Sequence, residues 1–358
     1  MSVPEQMKAL AIRKYGGPSE LAVETMATPA LVKTDQVLVK VDFAGVNPVD
    51  YKIRQGDLAS LMSVKFPLVL GIDFSGTLVA KHPSSECPIE LGSKVYGKLF
   101  RPATVTNGTY AEFLRVNWKT DMLSKSPDLP GEELAGVGVC ALTAVVALAD
   151  YLKVSLPPAS ELPAPKRDFK ILIIGASGGV GSFATQIAHM LGIHVIGVCS
   201  GRNVEFVTSL GANQVIDYKQ GPLPAALEKL GHMAGSLDGI CDFVGGDEYF
   251  KNLSIFLKPK GHFVTATGPT SGKVTFGVLA TFGGLVVRRN LAALFGRGPC
   301  YAFISSLPTQ HWGYLTELIS RKLIRTTVYK TFPLAEGVKA HEEIQTGRSV
   351  GKIVIQMS

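Results

Sequence analysis

Residues Ile171-Leu172-Ile173-Ile174-Gly175-Ala176-Ser177-Gly178-Gly179-Val180-Gly181 run from a short apolar segment straight into a cluster of glycines. The apolar pattern resumes at helical spacing through Phe183, Ile187, Ala188 and Leu191. A buried strand that turns sharply into a helix presents free backbone N–H groups at the helix start. Glycine keeps side chains from blocking an incoming phosphate there. The spacing reads Ala176-x-Gly178-x-x-Gly181, with Gly178 admitting a pyrophosphate and Gly181 allowing close helix–strand packing. Alanine is acceptable at the first position where φ stays negative. A second strand, His194 to Cys199, follows Gly192, so strand, turn, helix and strand stand in order. The competing reading is a tight turn that binds nothing, and this ordered context disfavours it.

An NAD site places an acid at the end of the second strand to take the ribose hydroxyl. Here that strand ends Val198-Cys199-Ser200-Gly201-Arg202, with no carboxylate until Glu205. A hydroxyl and a guanidinium suit a 2′-phosphate instead. Ser200 and Arg202 therefore point to NADPH, although Arg202 alone would also serve as a solvated cation at a helix start.

These residues need a large scaffold, and 358 residues supply enough for two domains. A hydrophobic content of 46% with 18% charged residues describes a globular chain. The net charge of +7 is moderate, and no basic block interleaved with aromatics suggests nucleic-acid binding. The 5 cysteines are scattered without a C-x-x-C pair, which suits a reducing compartment and gives no zinc spacing. The histidines show no metal spacing either. No Ser-His-Asp, paired-carboxylate or H-E-x-x-H arrangement argues for a hydrolase. Met1 to Gln6 is short and polar, unlike a signal peptide, so a cytoplasmic location is the expectation, with an organelle left open. The apolar segment Phe276 to Phe295 carries Arg288, Arg289 and Asn290 and reads as a buried strand–loop–helix rather than a membrane span. Peripheral membrane contact stays open there, and an apolar strand at Gly283 to Val287 could pair across a homodimer.

Up to about residue 140 the pattern is of short strands and turns, at Lys8–Arg13, Gln36–Ala44, Leu68–Leu78, Lys94–Lys98 and Gly108–Val116. A long helix is expected from Leu134 to Leu152, then an exposed proline-rich loop from Pro157 to Pro165. From Phe169 strands alternate with helices, at Ile171–Ile174, His194–Cys199, Gln214–Asp217, Gly239–Phe243 and Gly261–Ala266. That alternation predicts an α/β, doubly wound parallel sheet. A last helix, Trp312 to Leu323, and a closing strand, Lys352 to Gln356, are assigned to the first domain.

Several short words then stand in a familiar order. They are Gly45-Val46-Asn47-Pro48-Val49-Asp50-Tyr51-Lys52-Ile53-Arg54-Gln55-Gly56, Gly71-Ile72-Asp73-Phe74-Ser75-Gly76 and Gly108-Thr109-Tyr110-Ala111-Glu112. Ala141-Leu142-Thr143-Ala144, the glycine loop, Leu210-Gly211-Ala212, Ile216-Asp217-Tyr218, Asp242-Phe243-Val244-Gly245-Gly246 and Gly351-Lys352 follow. With them the chain resembles the zinc-free quinone oxidoreductase branch of the medium-chain dehydrogenase/reductase superfamily, including the reticulon-interacting oxidoreductases. The resemblance implies a GroES-like β-rich catalytic domain, residues 1–138 and 304–358, beside a Rossmann NADPH-binding domain, residues 139–303. Zinc-dependent relatives carry cysteine where Asn47 stands and His-Glu where Ile72-Asp73 stands, and neither asparagine nor isoleucine replaces a thiolate or imidazole ligand.

The roles that follow rest on that resemblance. Ser177, Gly178, Gly179, Val180 and Gly181 would cradle the phosphates, and Tyr218 would join Ser200 and Arg202 around the 2′-phosphate. Gly245, Gly246 and Thr267, within Thr265 to Gly268, would face the nicotinamide half, and Thr143 a phosphate. Asn47 and Lys352 would lie by the nicotinamide and the substrate. Each has a plainer alternative: a turn residue for Asn47, a packed helix residue for Thr143, a strand-end aromatic for Tyr218 and a solvated lysine for Lys352. The substrate would meet Asp50–Arg54, Asp57–Lys65 and part of Gly272–Gly298. Enoyl-thioester reductases of the superfamily use a tyrosine just after the Arg54-Gln55-Gly56 equivalent, where this chain has Asp57, Leu58 and Ala59, which leaves Tyr51 as the alternative proton donor. The expected reaction is hydride transfer from NADPH to a quinone or a similar electron-poor small molecule. Reduction of an enal, enone or enoyl thioester is the alternative, and a low-turnover NADPH-binding interaction protein is the non-enzymatic one.

Overall fold

The structure is a computed structural model that describes residues 3–100, 107–267, 273–296 and 298–357. The chain divides into two compact units, Met1–Val139 with Thr326–Ser358, and Cys140–Arg325.

In the first unit, alternation of apolar and polar residues builds two sheets, antiparallel throughout except where Val328–Pro333 runs parallel to the closing strand Lys352–Gln356. Gln6–Ile12 lies between Ala22–Ala27 and Leu68–Val69. A seven-stranded sheet centres on Gln36–Val46, which pairs with Asp73–Lys81, Phe113–Asn117 and the closing strand Lys352–Gln356. The core between them is mostly aliphatic, with Leu10, Ile12, Val39, Leu70, Leu114 and Ile355 buried around the aromatic ring of Phe74. The closing strand brings Lys352 to the end of Gln36–Val46, where Ile353 pairs with Val46.

The expectation of strands and turns alone missed the helix Pro48–Gln55. Its start follows from the residues: Asn47 is the N-cap, Pro48 tolerates the first turn, and Asp50 closes a capping box. Gly56, at φ 81°, ends it in the left-handed conformation. A strand at Val328–Pro333 and a helix at Gly337–Gln345 also belong to this unit and were not foreseen.

The second unit is a six-stranded parallel sheet. In the order of the chain its strands are Lys170–Ile174, His194–Cys199, Gln214–Asp217, Leu237–Asp242, Leu257–Thr265 and Cys300–Phe303. In space they run third, second, first, fourth, fifth, sixth. Strand order reverses between Lys170–Ile174 and Leu237–Asp242, and such a switch point opens a crevice at the carboxyl ends of the strands. The interior strands Lys170–Ile174 and His194–Cys199 are buried after their first residue, so they read as continuous apolar runs.

Some expectations change here. The long helix Leu134–Leu152 is three pieces, Gly131–Leu134, Gly138–Val146 and a wider-wound turn Ala147–Tyr151. Glycine at 138 is required because a Cβ there would sit 2.3 Å from Asp73 Oδ1. Residues 304–325 group with the second unit, not the first. Ile304 continues the strand-end bonding to Thr265, His311 pairs with Asp150 at 2.8 Å, and Arg325 bonds Gln186. The helix expected at Trp312 to Leu323 spans Trp312–Ser320.

The strand–loop–helix expected at 276–295 is a single helix, Phe276–Leu294, capped by Thr275. Val278, Phe282, Leu285, Val286 and Asn290 recur on its more buried side, while Gly283, Val287 and Leu291 face solvent. Glycines inside it suggested a break, but the spacing of the half-buried residues is helical. The segment Gly283–Val287 is therefore not a strand and cannot pair as one across a dimer. None of the described helices is long and apolar enough to cross a membrane.

Candidate functional site

Five of the six strands of the second unit end in the loops that carry the expected cofactor residues. The tight turn sits at Gly175, φ 79°, while Ala176 keeps a negative φ. A Cβ on Gly175 would also meet Val244 Cγ2 at 2.9 Å, across the switch point. Gly178 is the N-cap of the helix Gly179–Met190, and a Cβ there would meet only Gly175 O, at 3.3 Å. On Gly181 it would lie 2.1 Å from that same oxygen. Gly181 thus lets helix and strand touch, and Gly178 leaves the helix start open. The two glycines divide the work as a dinucleotide cradle requires.

The strand His194–Cys199 delivers Ser200, whose hydroxyl takes a hydrogen bond from Asn203 Nδ2 at 3.2 Å. The same amide nitrogen reaches Ser177 Oγ at 3.1 Å. Asn203 therefore ties the glycine loop to the end of the next strand, a link that spacing alone did not reveal. Arg202 is exposed beside it, and Tyr218 is 52% exposed at the end of the third strand.

An acid does reach this corner, from the adjacent strand rather than from the second strand itself. Asp217 pairs in register with Cys199, and its Oδ2 would lie 2.5 Å from a Cβ on Gly201. The Lys219 backbone N–H and the Gln220 amide bond it and hold its carboxyl below the usual range, with a smaller contribution from the Gly201 N–H. Asp217 lies beyond Glu205 in the chain, and only the sheet register brings its carboxylate to this corner.

At the end of the fourth strand, buried Asp242 receives the N–H groups of Val244 and Gly245 at 3.0 and 2.9 Å and the Thr265 hydroxyl at 3.1 Å. Burial raises its pKa despite those bonds. Gly245 and Gly246 have φ of 91° and 109°, which only glycine adopts freely. Thr265 Oγ in turn binds the backbone of Thr267. Asp242 thus shapes both loops expected at the nicotinamide half. Gly268 and Gly272, within two of the expected lining segments, lie outside the described residues. Thr143 is buried in the helix Gly138–Val146.

The first unit gathers its own cluster. Lys352 Nζ donates to Asn47 Oδ1 at 2.7 Å and to Val46 O at 3.1 Å, and lies 3.4 Å from Asp73 Oδ2. Asn47 Nδ2 donates to Asp73 Oδ2 at 3.0 Å, and the other Asp73 oxygen accepts the Val139 N–H. All three side chains are buried, so Lys352 is not a solvated lysine. Asp50 Oδ2 accepts the Asn47 N–H at 2.8 Å and the Tyr110 hydroxyl at 2.7 Å. Complete burial raises the Asp50 carboxyl to about 7 against these bonds. Tyr51, half-buried, has its phenol pKa raised by burial and by Asp57. The expected residues Asn47 and Lys352 meet, whereas Asp73 as their shared partner and the Asp50–Tyr110 pair come only from the fold.

This donor set does not fit zinc. Asn47 offers one amide oxygen, already bonded to an ammonium, Ile72 offers none, and Asp73 is shared by Lys352 and Asn47. The glycine turn at a helix start, the glycine pair at the switch point and the polar knot of Ser177, Ser200 and Asn203 do fit a nicotinamide dinucleotide.

A GroES-like β-rich unit with a Rossmann unit defines a class of oxidoreductase. The chain belongs to the medium-chain dehydrogenase/reductase superfamily. The alcohol dehydrogenase GroES-like domain family matches residues 33–128, and the family described as zinc-binding dehydrogenase matches residues 210–355. The chloroplastic quinone-oxidoreductase homolog of Spinacia oleracea is 30% identical over 98% of both chains. The mitochondrial NAD(P)H oxidoreductase RTN4IP1 of Mus musculus is 30% identical over 98% of this chain and 89% of its own. The trans-enoyl reductase pgmF of Aspergillus terreus is 30% identical over 90% of this chain and 86% of its own. The solved quinone oxidoreductase from Coxiella burnetii superposes with a TM-score of 0.78 at 28% identity, covering 99% of this chain and 100% of that one.

Proposed function

We propose that the protein is an NADPH-dependent oxidoreductase that reduces a quinone or a similar electron-poor small molecule without zinc. The observation that carries this reading is the buried Asn47–Lys352–Asp73 knot, whose atoms are committed to one another rather than to a metal. An acceptor that needs no Lewis acid suits such a site better than an alcohol, whose proton zinc acidifies. The names of the spinach and Coxiella relatives support the same class.

Ser177 to Gly181 would hold the pyrophosphate on the helix start, with Ser200, Arg202 and Tyr218 around the adenosine end. Gly245, Gly246 and Thr267 would take the nicotinamide end, and Thr143 a phosphate. When bound, the dinucleotide supplies the hydride. Asn47 would orient the reacting groups with its amide held by Lys352 and Asp73, so Lys352 acts by positioning. Tyr51, a phenol protonated at neutral pH with its pKa raised further by burial and by Asp57, has a proton to give. Hydroquinone formation can take its proton from water, whereas an enoyl acceptor needs a donor close by.

Asp217 bears on the cofactor choice: its charge opposes a 2′-phosphate that Ser200 and Arg202 favour. Location follows the same division. The expected cytoplasmic site competes with the organelles in the names of the spinach and mouse relatives.

The second reading, reduction of an α,β-unsaturated carbonyl, is supported by the Aspergillus relative named as a trans-enoyl reductase. Steady-state NADPH oxidation against quinones, enals and enoyl thioesters separates the two by the ratio of kcat/KM values. Tight NADPH binding with turnover of no acceptor would leave the low-turnover binding protein as the correct reading.

A further inference from the structure

Within the second unit, a groove of about 740 Å³ runs along the helix Phe276–Leu294. Gly277, Val278, Phe282, Gly284 and Leu285 line it, with Asp247 and Arg288 as its charged members. Its size falls in the range of small-molecule pockets, and its lining is mainly apolar. Asp247 directly follows Gly246, the helix cap that ends the nicotinamide-side loop. One lining residue of the groove is therefore the immediate chain neighbour of the glycine pair proposed for the nicotinamide end. Asp247 itself is neutralised by Lys251 at 3.0 Å and by Arg289, whose guanidinium lies 4.1 and 4.4 Å from the ring centroids of Phe250 and Tyr301, two rings that meet edge-on. That anchor fixes the floor and leaves the groove's charged rim to Arg288. The apolar surface continues past the rim over Val287, Leu291 and Leu294, exposed by 61%, 49% and 79%.

We propose that this groove binds the apolar chain of the acceptor, so that the preferred substrates are amphiphiles: an electron-poor ring at the glycine-pair end and an alkyl or isoprenoid tail along the helix. The assignment rests on the acceptor-reductase reading above and names its substrate class. A ring alone would leave the groove unfilled. A tail withdraws its methylenes from water, each strengthening binding about fourfold.

Two adjacent glycines supply the test. At both Gly283 and Gly284 a Cβ would meet nothing within 4 Å, so either accepts a side chain without a clash and with improved helix propensity. Only Gly284 lines the groove. Isothermal titration with non-reducible dimethoxybenzenes bearing ethyl, hexyl and decyl chains measures tail binding without turnover. Affinity is expected to rise with chain length in the wild type and in Gly283→Phe, and to flatten in Gly284→Phe, with at least a tenfold loss for the decyl compound. Kinetics with decyl-substituted and unsubstituted quinones should show the same split, in KM rather than kcat. Equal behaviour of the two variants, or affinity independent of chain length, overturns the proposal. So does a dimer seen by light scattering in the wild type and lost only in Gly284→Phe, which would assign the groove to a second copy. Tail binding without turnover of any quinone would instead count against the acceptor reading and leave the groove assigned.

Discussion

Two buried groups in the first unit make opposing pH dependences that should cancel until one is removed. Asp50 is completely buried, and that burial raises its carboxyl from 3.8 to about 7. His341, also buried, has neither ring nitrogen hydrogen-bonded, and burial lowers it from 6.5 to about 3, helped by the charge of Arg54. Both touch Tyr110: its hydroxyl donates to Asp50 at 2.7 Å, and its ring stands edge-on to His341 with centroids 5.8 Å apart. Asp73 raises and Lys352 lowers the Asp50 value by smaller amounts.

Between about pH 4 and 6.5 the folded unit keeps the Asp50 proton that the unfolded chain has released, so stability falls as pH rises. Over the same window the unfolded chain protonates His341 and the folded unit does not, so stability rises with pH. Each slope approaches one proton, about 1.4 kcal/mol per pH unit, or about 3 kcal/mol across the window. The two cancel in the wild type. Asp50→Asn removes the falling part, because its amide oxygen can take the Asn47 and Tyr110 hydrogen bonds without titrating. Its stability relative to wild type should therefore climb by about 3 kcal/mol from pH 4 to 6.5. His341→Phe keeps the edge-on ring and discards two unsatisfied nitrogens, so its relative stability should fall by a similar amount over that window. The chain has 2 tryptophans, and a Trp312→Phe background leaves Trp118, packed on the first unit's core, as the probe. Urea titrations at half-unit pH steps then read the difference for each variant. Parallel curves for wild type and Asp50→Asn would refute the reasoning, since a carboxyl that ionises normally in the fold produces no such divergence.

Three other outcomes are expected. Gly178→Val should keep the fold, because its Cβ meets only Gly175 O at 3.3 Å, yet lose dinucleotide binding at least tenfold by fluorescence titration; Gly181→Val should unfold the unit, because its Cβ would lie 2.1 Å from that oxygen. Asp217→Asn should tighten NADPH relative to NADH, and Arg202→Ala should do the reverse, in direct titrations of both cofactors; an unchanged ratio in both variants would place the 2′-phosphate elsewhere. Lys352→Met removes the ammonium paired with buried Asp73, leaving only the charge of Lys98 to act on it, and should cost about 3 kcal/mol in urea unfolding. Lys352→Arg should recover part of that stability but not kcat, if holding the Asn47 amide is what matters.

What the sequence made legible follows from how local each signal is. The glycine loop was readable because strand, turn and helix are contiguous, so spacing alone decides the geometry of Gly175, Gly178 and Gly181. The helix Pro48–Gln55 was equally local, and Asn47-Pro48-Val49-Asp50 spells its N-cap, first-turn proline and capping box; the strand-rich surroundings drew attention from it. Asp217 was not legible. Its nearness to Gly201 depends on the register that sets Cys199 opposite Asp217, and a one-residue slip would turn the carboxylate to the other face. The same holds for Lys352, which reaches Asn47 only because the closing strand pairs Ile353 with Val46. The segment Phe276–Leu294 failed for a different reason. Its glycines and arginines break a simple apolar pattern, yet Arg289 is absorbed by Asp247, Phe250 and Tyr301, and the glycines face open space, where they cost helix propensity but no packing. A helix that keeps glycine on its open faces forgoes stability that larger residues would provide. Where Gly284 lines an apolar groove, the missing side chain is the room an acceptor's tail would need.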